Sequence, residues 1–199
     1  SMGAKVAVLA ATKSLVDDKD NKWADPAAVF AFNVGNEKPM VCLAPWVDAA
    51  AAVKYIDPKS EVRFTFVDAD DDDITPYKDP KKPNALSIYD GLPIKYRQMI
   101  VLHGTGKGDQ NLQTDPELHD DHSAPLTVEG KAGGMVDWAI PDSHLDALDW
   151  YGYWKILAGG LDFHFLKGDE KWAYGALRSH GGTLPDGTVI SHEVFKQGW

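Results

Sequence analysis

Glu61-Val62-Arg63-Phe64-Thr65-Phe66-Val67 is the stretch on which the reading of the fold turns. Val62, Phe64 and Phe66 share one face of an extended chain, with Arg63 and Thr65 on the other. Successive side chains of a strand point to opposite faces, so this alternation is that of a strand with one buried and one wet face. It is the clearest half-buried strand in the chain.

Several neighbouring segments carry the same signal. Residues 5–9 (Lys-Val-Ala-Val-Leu), 27–34, 39–44 and 99–102 are short apolar runs that read as strands. Further strands are expected at 126–129, 134–140, 161–166, 171–177 and 188–195. Asn33-Val34-Gly35-Asn36, Lys167-Gly168-Asp169 and Pro185-Asp186-Gly187 supply turn chemistry between some of them. One helix is well supported, over about residues 143–157. Asp142 or Ser143 can cap it, Leu148, Tyr151, Trp154 and Ala158 recur at helical spacing, and Gly159-Gly160 ends it. A second, short helix is expected where Asp48 precedes an alanine run that stops before Asp57-Pro58. Together these predict a β-rich α+β fold: an antiparallel sheet or sandwich with one good helix and long polar loops.

The loops are residues 68–84, acidic and then broken by Pro76, Pro80 and Pro83, and residues 104–125. At 199 residues a single domain over 1–199 is the expectation, with the 68–84 loop as the place where it would subdivide. No repeat of fixed period is present, and no apolar run approaches the roughly 18 residues of a membrane span.

Composition narrows the partners. The formal net charge is −10, and the bases include only 3 Arg. A nucleic-acid groove needs basic side chains to replace counterions, so nucleic acid is excluded as a partner. A polar small molecule, a glycan, a basic protein or a divalent cation fits the charge. Cys42 is the only cysteine, so intrachain disulfides and cysteine metal clusters are excluded. The N-terminus shows no charged segment, apolar run and cleavage site in order. Cytoplasmic residence and export with the leader removed are both compatible with it.

Five clusters can carry chemistry. Asp68, Asp70, Asp71, Asp72 and Asp73 crowd one segment, and hard cations such as calcium take several oxygen ligands at short range. Asp68, Asp70 and Asp72 have the spacing of the first ligands of a calcium loop, although Asp73 stands where that loop needs glycine. Glu117, His119, Asp121 and His122 form the second. Two imidazoles three residues apart meet on one helical face and suit a zinc-type ion, with Asp121 as a further ligand and Glu117 as a general base. His103-Gly104-Thr105-Gly106-Lys107-Gly108 follows a strand but lacks the phosphate-loop and dinucleotide spacings, and reads as a flexible loop. Ser179-His180 and Ser191-His192-Glu193 hold nucleophile and base types, but adjacent strand residues face opposite ways. Finally Trp150, Tyr153, Trp154 and Trp172 belong to an aromatic-rich C-terminal third, and aromatic faces stack on sugars or clasp cations.

Two functions follow as expectations. The first is a non-catalytic binding or interaction domain with an acidic, aromatic-bearing surface for a polar ligand or basic protein. The alternative is a metal-dependent enzyme in which His119 and His122 hold an ion that activates water.

Overall fold

The computed structural model describes residues 2–17, 25–32, 34, 47–70, 77–78, 84–103, 149–175 and 192–197. Among these residues four strands form one sheet in the order β1 (Ala28–Phe32), β2 (Arg63–Ala69), β3 (Arg97–Leu102), β4 (His192–Gln197). β1 and β2 run parallel, with Ala28 opposite Arg63 and Phe32 opposite Val67. β2 and β3 are parallel too: Phe64 N–H donates to Tyr96 O and Asp70 N–H to Leu102 O, a constant offset along both chains. The sheet is mixed but mostly parallel.

This corrects the expected antiparallel sheet with one helix. The physical reason lies in the residues first quoted. Thr65 is 1% exposed and Gln98 0%, and the Gln98 amide donates to the Thr65 hydroxyl at 3.0 Å. The second face of β2 is thus as dry as the first, its polar residue satisfied by a neighbouring strand rather than by water. From Phe64 to Ala69 every residue of β2 is buried.

Among the described residues four α-helices accompany the sheet: α1 (Met2–Asp17), α2 (Ala49–Ala52), α3 (Ala85–Gly91) and α4 (Lys155–Leu166). Parallel neighbours need a crossover. α2, with the 3₁₀ turn Val53–Tyr55, lies between β1 and β2, and α3 between β2 and β3. The Asp48 carboxylate caps α2 by accepting from Ala50 and Ala51 N–H. Asn84 caps α3 reciprocally, its side chain accepting from Ser87 N–H while its own N–H donates to the Ser87 hydroxyl.

Two expected strands are helices. Residues 5–9 lie in α1, where Val8, Ala11 and Thr12 are buried at helical spacing. Residues 161–166 end α4. The expected stop at Gly159-Gly160 falls inside α4. A side chain at 159 would meet the Trp172 Cβ at 2.8 Å, so this glycine serves close packing rather than termination. The helix ends instead at Lys167, whose positive φ of 61° closes the last turn. Expected strand 171–177 begins as a 3₁₀ turn, Glu170–Trp172. The segments expected as strands at 39–44, 126–129 and 134–140, and residues 143–148 of the expected helix, lie outside the described residues.

By its internal contacts the chain gathers into two units: residues 1–68, 74–100 and 194–199, and residues 69–73 and 101–193. In the first, Val29, Phe64, Phe66, Ile88, Leu92 and Met99 are core residues. In the second, Leu102, Tyr153, Ile156 and Tyr174 are at most 2% exposed.

Candidate site at the carboxyl ends of two strands

Ala69 is the last residue of β2 and Leu102 the last of β3, both buried. The residue after each is polar: Asp70 and His103. Strand pairing continues into this pair, because Asp70 N–H donates to Leu102 O at 3.0 Å. The side chains then meet, with His103 Nδ1 2.6 Å from Asp70 Oδ2. Each is about one-third exposed, so the pair is anchored on dry backbone and open to solvent above it.

The contact has chemical consequences. A carboxylate accepts but cannot donate, so the short contact places a proton on Nδ1. In the neutral ring the lone pair then belongs to Nε2, on the far side from Asp70. The arrangement presents an oriented proton acceptor at the carboxyl ends of two adjacent parallel strands.

Asp68, expected as a cation ligand beside Asp70, lies within β2 and is 0% exposed. Its Oδ1 accepts from Val34 N–H at 3.1 Å, tying the chain beyond β1 to β2. Asp70 lies against His103, and Asp72 lies outside the described residues. So do Glu117, His119, Asp121 and His122. Among the described residues, no group of three or more His, Cys, Asp or Glu is placed to hold a metal ion.

Tyr153, Trp154 and Trp172 differ in burial. Trp150 is in a π-helical turn, Asp149–Trp154, that leads into α4. Tyr153 is 0% exposed and therefore a core side chain, and Trp154 is half-buried. Trp172 is 42% exposed, with Lys171 Nζ 5.7 Å from its ring centroid. Asp169 accepts from the backbone and ammonium of Lys171, which hold its carboxyl below the usual carboxylate range. On α4, burial lowers the Lys155 ammonium to about 8. His164 Nε2 lies 2.9 Å from the Tyr174 hydroxyl.

A separate apolar groove of about 390 Å³ lies among α1, α2 and the turn after it, lined by Leu9, Val16, Val47, Ala52 and Tyr55 among others. Among the described residues no helix is long and apolar enough to cross a membrane.

Sequence reasoning had both members of the pair in hand and kept them apart, Asp70 in an acidic loop and His103 at the head of a glycine-rich one. The signal that joins them is positional: each is the first polar residue after a buried strand, and in a parallel sheet those positions fall at one edge. Comparisons of the chain with protein-family models, with curated proteins and with solved structures find no match.

Proposed function

We propose that the protein is an acid–base enzyme that hydrolyses an uncharged or cationic polar substrate, with His103 as general base and Asp70 as the residue that orients it. The observation that carries this reading is the 2.6 Å contact between His103 Nδ1 and Asp70 Oδ2 at the strand ends. In the step it supports, Nε2 takes a proton from water as the water oxygen attacks an acyl carbon. The resulting imidazolium returns that proton to the leaving oxygen. Asp70 keeps the productive tautomer and stabilises the imidazolium without taking the proton itself. The formal net charge of −10 disfavours anionic substrates.

The test uses p-nitrophenyl acetate as probe. His103→Ala is expected to lower kcat/KM by about 100-fold or more, the scale of a positioned base. Asp70→Asn is expected to give an intermediate loss, with both variants melting as the unaltered protein does. A rate no higher than that of free imidazole at the same concentration overturns the reading. EDTA separates a second route. A rate abolished by chelation and restored by zinc belongs to His119, Asp121 and His122 and removes His103 from the chemistry.

The non-catalytic reading draws on a different observation, the exposed Trp172 beside the exposed Asp169 and Glu170. It predicts no turnover by the intact protein, and tryptophan fluorescence that responds to oligolysine and loses that response in Trp172→Phe.

A further inference from the structure

We propose that Gly152 is a positioning residue for the His103–Asp70 pair, acting through Leu102; the inference rests on the function proposed for that pair. Leu102 is tied to the site in two ways. Its carbonyl accepts from Asp70 N–H at 3.0 Å, and it is bonded directly to His103. Whatever fixes Leu102 therefore fixes the backbone of both members of the pair.

The Leu102 side chain is 2% exposed and points at the π-helical turn. A Cβ placed on Gly152 would stand 2.4 Å from Leu102 Cδ1 and 3.1 Å from Cδ2. No side chain fits there, so the backbone of the turn itself is the wall against which Leu102 rests. π-Helical turns are uncommon, and they recur at functional sites. This one carries the glycine that lets the chain approach the end of β3. Interiors are close-packed, so a methyl group at 152 must displace either the turn or Leu102. Displacing Leu102 moves His103 relative to Asp70, and misplacement of a catalytic group by a fraction of an ångström to one ångström lowers rates steeply.

The experiment reads the geometry of the pair before it reads activity. Protein labelled with ¹⁵N-histidine, at about pH 8.5, reports the tautomer of His103 through its two ring-nitrogen shifts. The unaltered protein is expected to hold the proton on Nδ1, and Asp70→Asn to move it toward Nε2. Gly152→Ala is expected to move the shifts toward the Asp70→Asn pattern. It should also lower kcat on p-nitrophenyl acetate about tenfold, with KM within about twofold. Gly152→Ala combined with Leu102→Val conserves volume, because the added methyl replaces a removed methylene. That double variant is expected to restore both the tautomer and kcat.

Unchanged shifts in Gly152→Ala overturn the proposal, and so does a double variant that fails to recover. If Gly152→Ala does not fold, the double variant is compared with Leu102→Val alone, and loss of the Nδ1 proton in the double overturns it. Failure of the underlying reading looks different. There, Asp70→Asn leaves the shifts of His103 where they were, or His103→Ala leaves the rate unchanged.

Discussion

Thr65 and Gln98 show at the scale of single residues how a strand can alternate in sequence and still be dry on both faces. Their hydrogen bond, at 3.0 Å, joins β2 to β3 inside the sheet. A neutral hydrogen bond nets about 1 kcal/mol, but a buried polar group deprived of its partner costs about 1–3 kcal/mol. Thr65→Val is therefore expected to lower stability by about 1–3 kcal/mol in urea unfolding. Combined with Gln98→Met, which removes the amide that Thr65 accepts from, the loss should be smaller than the sum of the two single losses. Additive losses would mean that the pair is not coupled. The alternation of residues 61–67 is silent on the direction of the neighbouring strands. Alternation reports which side chains are polar, whereas the fold class depends on whether those polar groups face water or each other. Strict burial alternation occurs instead in β1, where Val29 and Ala31 are buried and their neighbours half-buried, although the sequence Ala28-Val29-Phe30-Ala31-Phe32 is apolar throughout.

At the scale of elements, what was legible follows local chemistry. The Asp48 cap, the β1 run, β2, β3 and a terminal strand near β4 are set by capping groups and apolar runs, and each is where the sequence placed it within a few residues. The expected helix of 143–157 overlaps the π-helical turn and the start of α4, but α1 and the rest of α4 were not legible, because Val6, Val8 and Leu9 in a five-residue window look like a strand and Gly159-Gly160 look like a stop. Only the longer spacing of Val8, Ala11 and Thr12, and the approach of Trp172 to Gly159, reveal the helices. Two predictions belong here. Asn84→Ala removes the reciprocal cap of α3 and is expected to cost about 1 kcal/mol, measured by urea unfolding. Lys155 gives a dependence on pH. Burial lowers its ammonium from 10.5 to about 8. Between those values the unfolded chain binds a proton that the folded chain does not, so this group makes stability rise with pH across that window. The contribution is lost as pH falls through about 8. Lys155→Met should abolish that rise. Its advantage in urea midpoint over the unaltered protein should be larger near pH 7 than near pH 10, and a gap that is constant with pH would show that Lys155 is not the source.

For the molecule as a whole, the order of the described strands places β2 and β3 between β1 and β4. Candidate chemistry sits where the two inner strands end, and this is a consequence of topology. Parallel neighbours deliver their carboxyl ends to one edge, so the first polar residue after each, Asp70 and His103, is brought together by strand direction alone. An antiparallel pairing of the same strands would have sent them to opposite edges. For that reason the pair was not legible until the direction of the strands was known. Stability should follow the same layout. Amides exchange slowly where backbone bonds are flanked by buried apolar contacts on both sides, and faster where one side is open. β2 and β3 are buried from Phe64 to Ala69 and from Gln98 to Leu102, whereas β1 alternates. Hydrogen exchange followed by mass spectrometry should therefore find peptides from Phe64–Ala69 and Gln98–Leu102 the slowest of the described segments. The peptide covering Ala28–Phe32 should exchange at least about tenfold faster, because β1, half-buried at alternate residues, opens without breaking the pairing of β2 with β3. Equal protection of β1 and β2 would mean that β1 is covered as an inner strand is. Protection of the Asp70 amide should also be sensitive to Gly152→Ala, since its N–H donates to Leu102 O and holds the backbone of Asp70 to the end of β3. Loss of protection confined to the Asp70 amide, with Phe64–Val67 unchanged, would show that the strand ends carrying the candidate site can be loosened while the sheet that presents them stays intact.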